Sequence, residues 1–190
     1  YRMVDSPIGG LLLAATGEGL VYVAFEVESR PEVLEMLATR VGPRVLRVRG
    51  ARAVDGDGGD TGRPVGGGGG GDAAGPGRIL DEATVQIGEY LAGRRRDFTV
   101  ALDTRLATGF RGQVQRRLAD IGYGRTATYK QLAAELERPG AVRAVGTACA
   151  TNPLPLVWPC HRILRSDGGL GGYRGGVEAK RRLLAMESAA

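Results

Sequence analysis

The chain has 190 residues, 43% of them hydrophobic and only 5% aromatic, with a formal net charge of +5 at pH 7. That length holds one domain or two small ones, and the apolar content allows a core. No apolar run approaches the ~18 residues of a membrane-spanning helix, and two cysteines cannot form a disulfide framework.

The charge is uneven: residues 1–90 carry a net of −4 and residues 91–190 a net of +9. The basic half suits a polyanionic partner, or is simply a solvated arginine-rich surface. Free thiols at Cys149 and Cys160 fit a reducing compartment. The start Tyr1-Arg2-Met3-Val4-Asp5-Ser6-Pro7 has no charged-then-apolar leader, so a cytoplasmic location is expected. One histidine and two separated cysteines do not make a zinc site, so neither metal nor cofactor is expected.

Residues 1–49 read as the start of a compact domain. Ser6-Pro7-Ile8-Gly9-Gly10 is a turn, and Leu11 to Ala15 and Leu20 to Phe25 form a hairpin around Thr16-Gly17-Glu18-Gly19. Pro31 to Val41 is expected to be a helix with proline in its first turn, and Val45 to Val48 a further strand. Residues 50–77, with six consecutive glycines from Gly66, read as a low-order insertion or linker. A phosphate-binding loop there would need a Lys-Ser/Thr ending, which is missing.

A helix is expected over Ile79 to Leu91, a strand over Asp97 to Leu102, and an amphipathic helix over Phe110 to Ile121. Thr128-Tyr129-Lys130-Gln131 has the form of a capping box and opens a helix running to Leu136. After Arg138-Pro139-Gly140, the small residues of Ala141 to Ala150 form a second helix. Helix, short glycine-containing turn, helix is a DNA-reading pattern, but also a common packing unit. On the second helix Ala144, Ala148 and Ala150 are short, and Arg143 is the one long basic residue. That composition suits close approach to a groove without sequence readout.

Asn152 is expected to end this helix, and Pro153, Pro155 and Pro159 to stiffen an extended segment leading to Trp158-Pro159-Cys160-His161-Arg162-Ile163. This segment holds the sole histidine directly after one of the two cysteines. A neutral thiol is a weak nucleophile and a thiolate a strong one, so a base beside Cys160 points to thiol chemistry. The bland alternative is a buried cysteine beside an exposed histidine. If the two work together they titrate as a pair. Glycines Gly168 to Gly176 form a loop able to approach a flat ligand, and Val177 to Met186 a final helix.

Residues 104–187 resemble the catalytic domain of O6-alkylguanine-DNA alkyltransferases, the methylated-DNA–protein-cysteine methyltransferases. The resemblance rests on Thr128-Tyr129-Lys130-Gln131-Leu132-Ala133, Arg143-Ala144-Val145-Gly146, Asn152-Pro153, Pro159-Cys160-His161-Arg162-Ile163, Gly172-Tyr173-Arg174-Gly175-Gly176, and Lys180 through Leu184 to Glu187, in register. It implies an α+β protein. Residues 1–103 would be a small ribonuclease-H-like domain carrying the glycine-rich insertion. Residues 104–190 would be a DNA-binding catalytic domain with a winged-helix-like helix-turn-helix.

The resemblance also implies a reaction. An alkylated guanine (O4-alkylthymine is a further candidate) is flipped from duplex DNA, and its alkyl group moves once to Cys160. The matching residues then take these roles: His161 as base, through a bridging water; Glu187 as its orienting carboxylate, with Glu178 the rival; Tyr129 as base displacer and proton donor; and Asn152 as a link to the active-site segment. Arg143 would fill the vacated stack, with Ala141, Ala144 and Thr147 as minor-groove contacts. Pro155, Trp158, Tyr173 and Arg174 would surround the base. Cys149 reads as a packed residue, and a monomer is expected.

Three positions depart from the family: Trp158 for an aliphatic residue, Gln115 for Trp, and Gly122 for Pro. Trp158 is expected either to crowd the pocket or to pack; the other two touch the supporting core. The rival functions are a non-catalytic lesion binder and a helix-turn-helix transcription regulator.

Overall fold

The computed structural model describes residues 1–48 and 75–188. Three strands, β1 (Arg2–Val4), β2 (Leu11–Ala15) and β3 (Leu20–Phe25), form an antiparallel sheet in the order β1-β2-β3, with Leu13 opposite both Arg2 and Val23. Leu11, Leu13, Val23 and Phe25 face one core, and Leu12, Ala14, Tyr22 and Ala24 another. Both faces are covered, so β2 and β3 are apolar at every position instead of alternating. Helix α1 (Arg30–Arg40) covers one face through Val33 and Leu37, and α2 (Pro76–Leu91) the other through Leu80, Ala83 and Ile87.

The hairpin and α1 lie where the sequence places them, within a residue. β1 is an additional strand. Val45 to Val48 is not a strand: it lies beside the chain start, where Val48 N donates to Tyr1 O (2.7 Å) and the Tyr1 amino group to Leu46 O (2.6 Å). Most of the expected glycine-rich insertion lies outside the described residues. Its last part does not belong to it, since Gly75 is the N-cap of α2 and Pro76 its first residue.

Asp97 to Leu102 also falls short of a strand and makes one parallel bridge, Leu20 with Leu102. Gln86 explains this, because its side-chain oxygen accepts from both Thr99 N (2.9 Å) and Val100 N (3.2 Å). Two amides that could have extended a ladder are thus used by a helix side chain. The bridge depends on Gly19, where an added Cβ would sit 2.5 Å from the Leu102 carbonyl carbon.

The second half is mainly helical. Helix α3 (Gly109–Arg117) runs into a 3-10 turn, Leu118–Asp120, and buries Val114 and Leu118. Helix α4 (Tyr129–Glu135) opens on the expected capping box: Thr128 Oγ1 accepts from Gln131 N (3.1 Å), and Gln131 Oε1 accepts from Thr128 N (2.7 Å). A 3-10 turn, Pro139–Ala141, leads to α5 (Val142–Ala150), and α6 (Gly176–Ser188) follows the glycine loop. Short strands β4 (Ala127–Thr128) and β5 (Ile163–Leu164) pair in parallel. That pairing ties the start of α4 to the residue just after Cys160-His161-Arg162, and so holds Tyr129 against the cysteine segment. Among the described residues no helix is long and apolar enough to cross a membrane.

Candidate active site

Helix α5 delivers the chain to the site, and its end is held by side chains. Its C-cap is Thr151, one residue earlier than expected. Gln115 on α3 donates through Nε2 to Ala148 O (3.0 Å) and Thr151 O (3.2 Å). Terminal helix carbonyls lack intrahelical partners, so Gln115 has a specific use here as a buried cap. Asn152, fully buried, accepts from Leu154 N (3.0 Å) and donates to Trp158 O (2.7 Å).

This one side chain curls the segment that the prolines were expected to keep extended. Trp158 N donates to Leu154 O (2.8 Å), Cys160 N to Trp158 O (2.7 Å), and Leu156 takes a left-handed φ of 75°. The turn places Cys160 and His161 on a 3-10 turn, Cys160–Arg162, with both side chains buried.

A cavity of about 270 Å³ opens at Cys160. Gly146, Cys149 and Ala150 of α5 form one wall, and Tyr129, Gly172, Tyr173 and Arg174 complete it. Gly171 is needed at its edge, with φ +67° and an added Cβ only 3.1 Å from the Tyr129 hydroxyl. Burial raises the Cys160 thiol above its ordinary pKa, against the opposing pull of Asn152, Arg174 and Lys180. Cys160 therefore rests as a neutral thiol, and a base must take its proton for it to act.

Behind the thiol, His161 is fully buried, with Nε2 3.1 Å from Glu187 Oε1. Its Nδ1 is buried and has no hydrogen-bond partner among the described residues. Burial, the largest influence, lowers the His161 pKa, while Glu187 pulls it up. Burial alone would push the Glu187 carboxyl up. Hydrogen bonds from His161 and Arg162, the charge of His161 and the Tyr90 hydroxyl outweigh it and hold the group at about 2. The rival Glu178 is exposed on α6 and pairs with Arg181 and Arg182, so Glu187 is the carboxylate brought to His161.

Other expected site residues divide clearly. Arg143, Ala144 and Thr147 are exposed on the outer face of α5, Ala141 lies half-buried at its start, and Tyr129 and Tyr173 line the cavity. Arg174 lines it too, but its guanidinium is committed to Asn152 O (2.5 Å), the Tyr22 hydroxyl and Glu28, tying β3 to the site loop. Pro155 is buried and lies outside the cavity lining. Trp158 faces away, into a separate cavity of about 170 Å³ with Arg96, Phe98 and Arg162. It packs behind the loop and does not narrow the space at Cys160.

Two important residues were not assigned roles from sequence. Arg162 grips Glu187 with Nε (3.0 Å to Oε2) and Nη2 (2.7 Å to Oε1), and its Nη1 donates to Ile121 O. Tyr90, on α2 in the first half, donates to Glu187 Oε1 (2.5 Å). Arg162 stood inside the cysteine motif, whereas nothing in the sequence singled out Tyr90 within the expected helix Ile79 to Leu91.

The buried relay makes stability pH-dependent. Glu187 is held near 2 in the fold, against an ordinary value of 4.5, so between those values the unfolded chain binds the extra proton. Stability from this group is present above pH 4.5 and is lost as pH falls towards 2, up to about 3 kcal/mol in all. His161 acts in the same direction at higher pH, since its lowered pKa makes the unfolded chain the better proton acceptor below about 6.5. The urea midpoint should therefore fall in two stages on acidification. Glu187→Gln should remove the stage below pH 4.5, and an unchanged pH dependence in that variant would refute the assignment.

A cavity-lining thiol followed by a buried histidine–carboxylate pair, under a pair of helices in a mixed α/β fold, is an arrangement for thiol chemistry on a ligand held between the helices and the glycine loop. Comparison with known proteins places it more narrowly. Residues 109–189 match the family model described as 6-O-methylguanine DNA methyltransferase, DNA binding domain. The methylated-DNA–protein-cysteine methyltransferase of Mycobacterium bovis is 34% identical over 98% of this chain and 91% of its own length. The inducible enzyme of that name from Bacillus subtilis is 42% identical over 58% of this chain. The matches cover 62% of the Bacillus subtilis protein and 66% of a Mycolicibacterium paratuberculosis relative, so the chain spans less than two thirds of those two. The crystal structure of Mycobacterium tuberculosis O6-methylguanine methyltransferase superposes with a TM-score of 0.73 at 31% identity, covering 100% of this chain and 92% of that one. A Mycobacterium tuberculosis OGT structure in complex with DNA gives 0.72 at 30% identity, covering 99% and 92%. The chain belongs to the methylated-DNA–protein-cysteine methyltransferase family.

Proposed function

We propose that this chain repairs alkylated DNA by moving an alkyl group from O6-alkylguanine, and from O4-alkylthymine as a secondary substrate, onto Cys160. The observation that carries the reading is the Cys160 thiol on the wall of a cavity of about 270 Å³, followed directly in the chain by His161, whose Nε2 lies 3.1 Å from Glu187 Oε1. The alkyl carbon cannot be reached inside the base stack, so the base is flipped into this cavity. Helix α5 is the DNA-facing element. Arg143 fills the vacated stack, and Ala141, Ala144 and Thr147 allow close approach to the minor groove. The finer fold reading goes with this: residues 1–103 as a ribonuclease-H-like domain, and residues 104–190 as a catalytic domain whose α4 and α5 act as a winged-helix-like helix-turn-helix. The protein works as a monomer.

In the reaction the Cys160 proton passes to His161 Nδ1 through a bridging water. The sulfur attacks the alkyl carbon, the C–S bond forming as the C–O6 bond breaks, and the guanine leaves with a proton supplied by Tyr129, which regains one from solvent as the charged His161 gives up the thiol proton. Glu187 holds His161 and stabilises its charged form, Asn152 fixes the turn before Cys160, and Tyr173 and the Arg174 segment bound the base. The thioether product is a poor leaving group and the site holds no second activated nucleophile, so each molecule acts once. Cys149 shares the cavity wall, but burial raises its pKa strongly and no base stands beside it.

The test is intact-mass measurement after mixing the protein with one equivalent of a duplex containing a single O6-methylguanine. The expected result is a gain of about 14 Da mapped by peptide sequencing to Cys160, with Cys149 unmodified. Tight binding without a mass gain would overturn transfer in favour of lesion binding. Preference for one undamaged sequence would point to a transcription regulator.

A further inference from the structure

We infer that Tyr90, contributed by α2 from the first half of the chain, is a positioning residue that sets the tautomer and basicity of His161 by holding Glu187. The inference rests on the alkyl-transfer reading for its kinetic consequence, but its structural core does not.

The geometry leaves Tyr90 little freedom. Its side chain is fully buried, with its ring 5.3 Å from Phe98 and 6.2 Å from Tyr123, and its hydroxyl reaches both Glu187 Oε1 (2.5 Å) and His161 Nε2 (3.1 Å). An ionised carboxylate only accepts hydrogen bonds, so the Tyr90 hydrogen points to Glu187. Its oxygen is then an acceptor towards His161 Nε2, as is Glu187 Oε1 itself (3.1 Å). With two acceptors at Nε2, the neutral ring carries its hydrogen there. Nδ1 is left with its lone pair free, and that is the nitrogen needed to take the thiol proton.

The same hydroxyl tunes the carboxylate. A hydrogen bond to a charged group is roughly twice as strong as one between neutral groups, so donation at 2.5 Å to Glu187 outweighs acceptance at 3.1 Å from His161. Tyr90 therefore drains basicity from Glu187, weakens the carboxylate's hold on a charged His161, and so lowers the basicity of the imidazole. The other titratable groups facing His161 are Arg162, which neutralises Glu187, Lys180 on α6, whose ammonium is held by Ile163 O (2.6 Å) and Leu170 O, and Cys160 and Tyr173 on the cavity side. Burial keeps the Tyr90 hydroxyl protonated far above the physiological range, so it acts as a donor throughout.

The chain has one histidine, so an imidazole-nitrogen NMR titration of 15N-histidine-labelled protein reports His161 without assignment. In the wild type the neutral ring should be the Nε2–H form; finding Nδ1–H would overturn the inference without any variant. In Tyr90→Phe, which keeps the ring packing and removes one oxygen, the His161 pKa should rise by about one unit, and the transfer rate on the acidic limb, below the His161 pKa, should fall about tenfold at a given pH, the size of one charge-assisted hydrogen bond. The acidic limb of the rate profile should move to higher pH by the same amount, with affinity for damaged duplex unchanged. A rate loss with both pH values unmoved would mean a merely structural tyrosine and overturn the role. If the wild type transfers no alkyl group, the functional reading fails while the NMR measurement still decides the role of Tyr90.

Discussion

Replacing His161 by glutamine should slow alkyl transfer to Cys160 by roughly 10²–10⁴-fold, the range of a positioned general base, while affinity for damaged duplex stays within about twofold. The argument starts from the thiol. Cys160 is 4% exposed, and burial raises its pKa, so at neutral pH almost none of it is thiolate. Nothing else in the site can take the proton: Lys180 is tied to two backbone carbonyls, Arg174 to Asn152, Tyr22 and Glu28, and Glu187 is occupied by Arg162. Glutamine can fill the histidine site and still donate to Glu187, so the fold is retained. Duplex affinity is retained because His161 lies inside, away from the exposed face of α5.

The pH profile separates base catalysis from packing. In the wild type the rate should rise through the lowered His161 pKa, below 6.5, and then level off. In the variant it should instead keep climbing with pH, because only hydroxide remains to ionise the raised thiol. Rapid-quench single-turnover rates from pH 5 to 10 make the comparison. A variant that keeps a third of the wild-type rate and the same plateau would remove His161 from the base role.

Much of the fold was readable where a local rule decides the structure. Thr128 and Gln131 specify a capping box by themselves, and it forms. The apolar runs at Leu11 to Ala15 and Leu20 to Phe25 pair as a hairpin because the turn between them permits little else. Cys160-His161 stood out because a chain with one histidine placed it beside a thiol, and Glu187 followed from its register in the family resemblance. The reading failed where a distant side chain overrides local preference. Gln86 takes the amides of Thr99 and Val100 and reduces an alternating strand to one bridge. Asn152 curls a proline-rich segment that local stiffness alone would extend.

The site shows the same division. Tyr90 lies 97 residues from Glu187, on a helix whose pattern explains it as core. Only the packing of α2 onto the second half turns its hydroxyl into part of a relay. Trp158, beside Cys160 in sequence, faces the other side of the loop. Neighbouring residues on a tight turn point in different directions, so closeness to the nucleophile in the chain says little about membership of its cavity.

Arg162→Met should be the most destabilising single change in the site, costing about 3–5 kcal/mol, the penalty for leaving a buried charge without its partner. For a chain of this length that corresponds to a fall in Tm of roughly 6–20 °C. Arg162 is 5% exposed and Glu187 2%. The guanidinium meets the carboxylate through two nitrogens, donates to Ile121 O, and lies 5.8 Å from the Tyr123 ring centre. Methionine keeps much of the stem volume but returns none of these bonds, and His161, Tyr90 and Gly124 N must then hold Glu187 alone. Lysine should rescue little, since a point charge cannot reproduce the planar fork.

The double variant Arg162→Met, Glu187→Gln distinguishes lost pairing from lost packing. Breaking one side of a buried pair strands the other charge, whereas removing both is often close to neutral. The double variant should therefore melt above Arg162→Met alone, and its stability should no longer fall between pH 4.5 and 2. If the two losses simply added, Arg162 would be stabilising through its stem and its bond to Ile121.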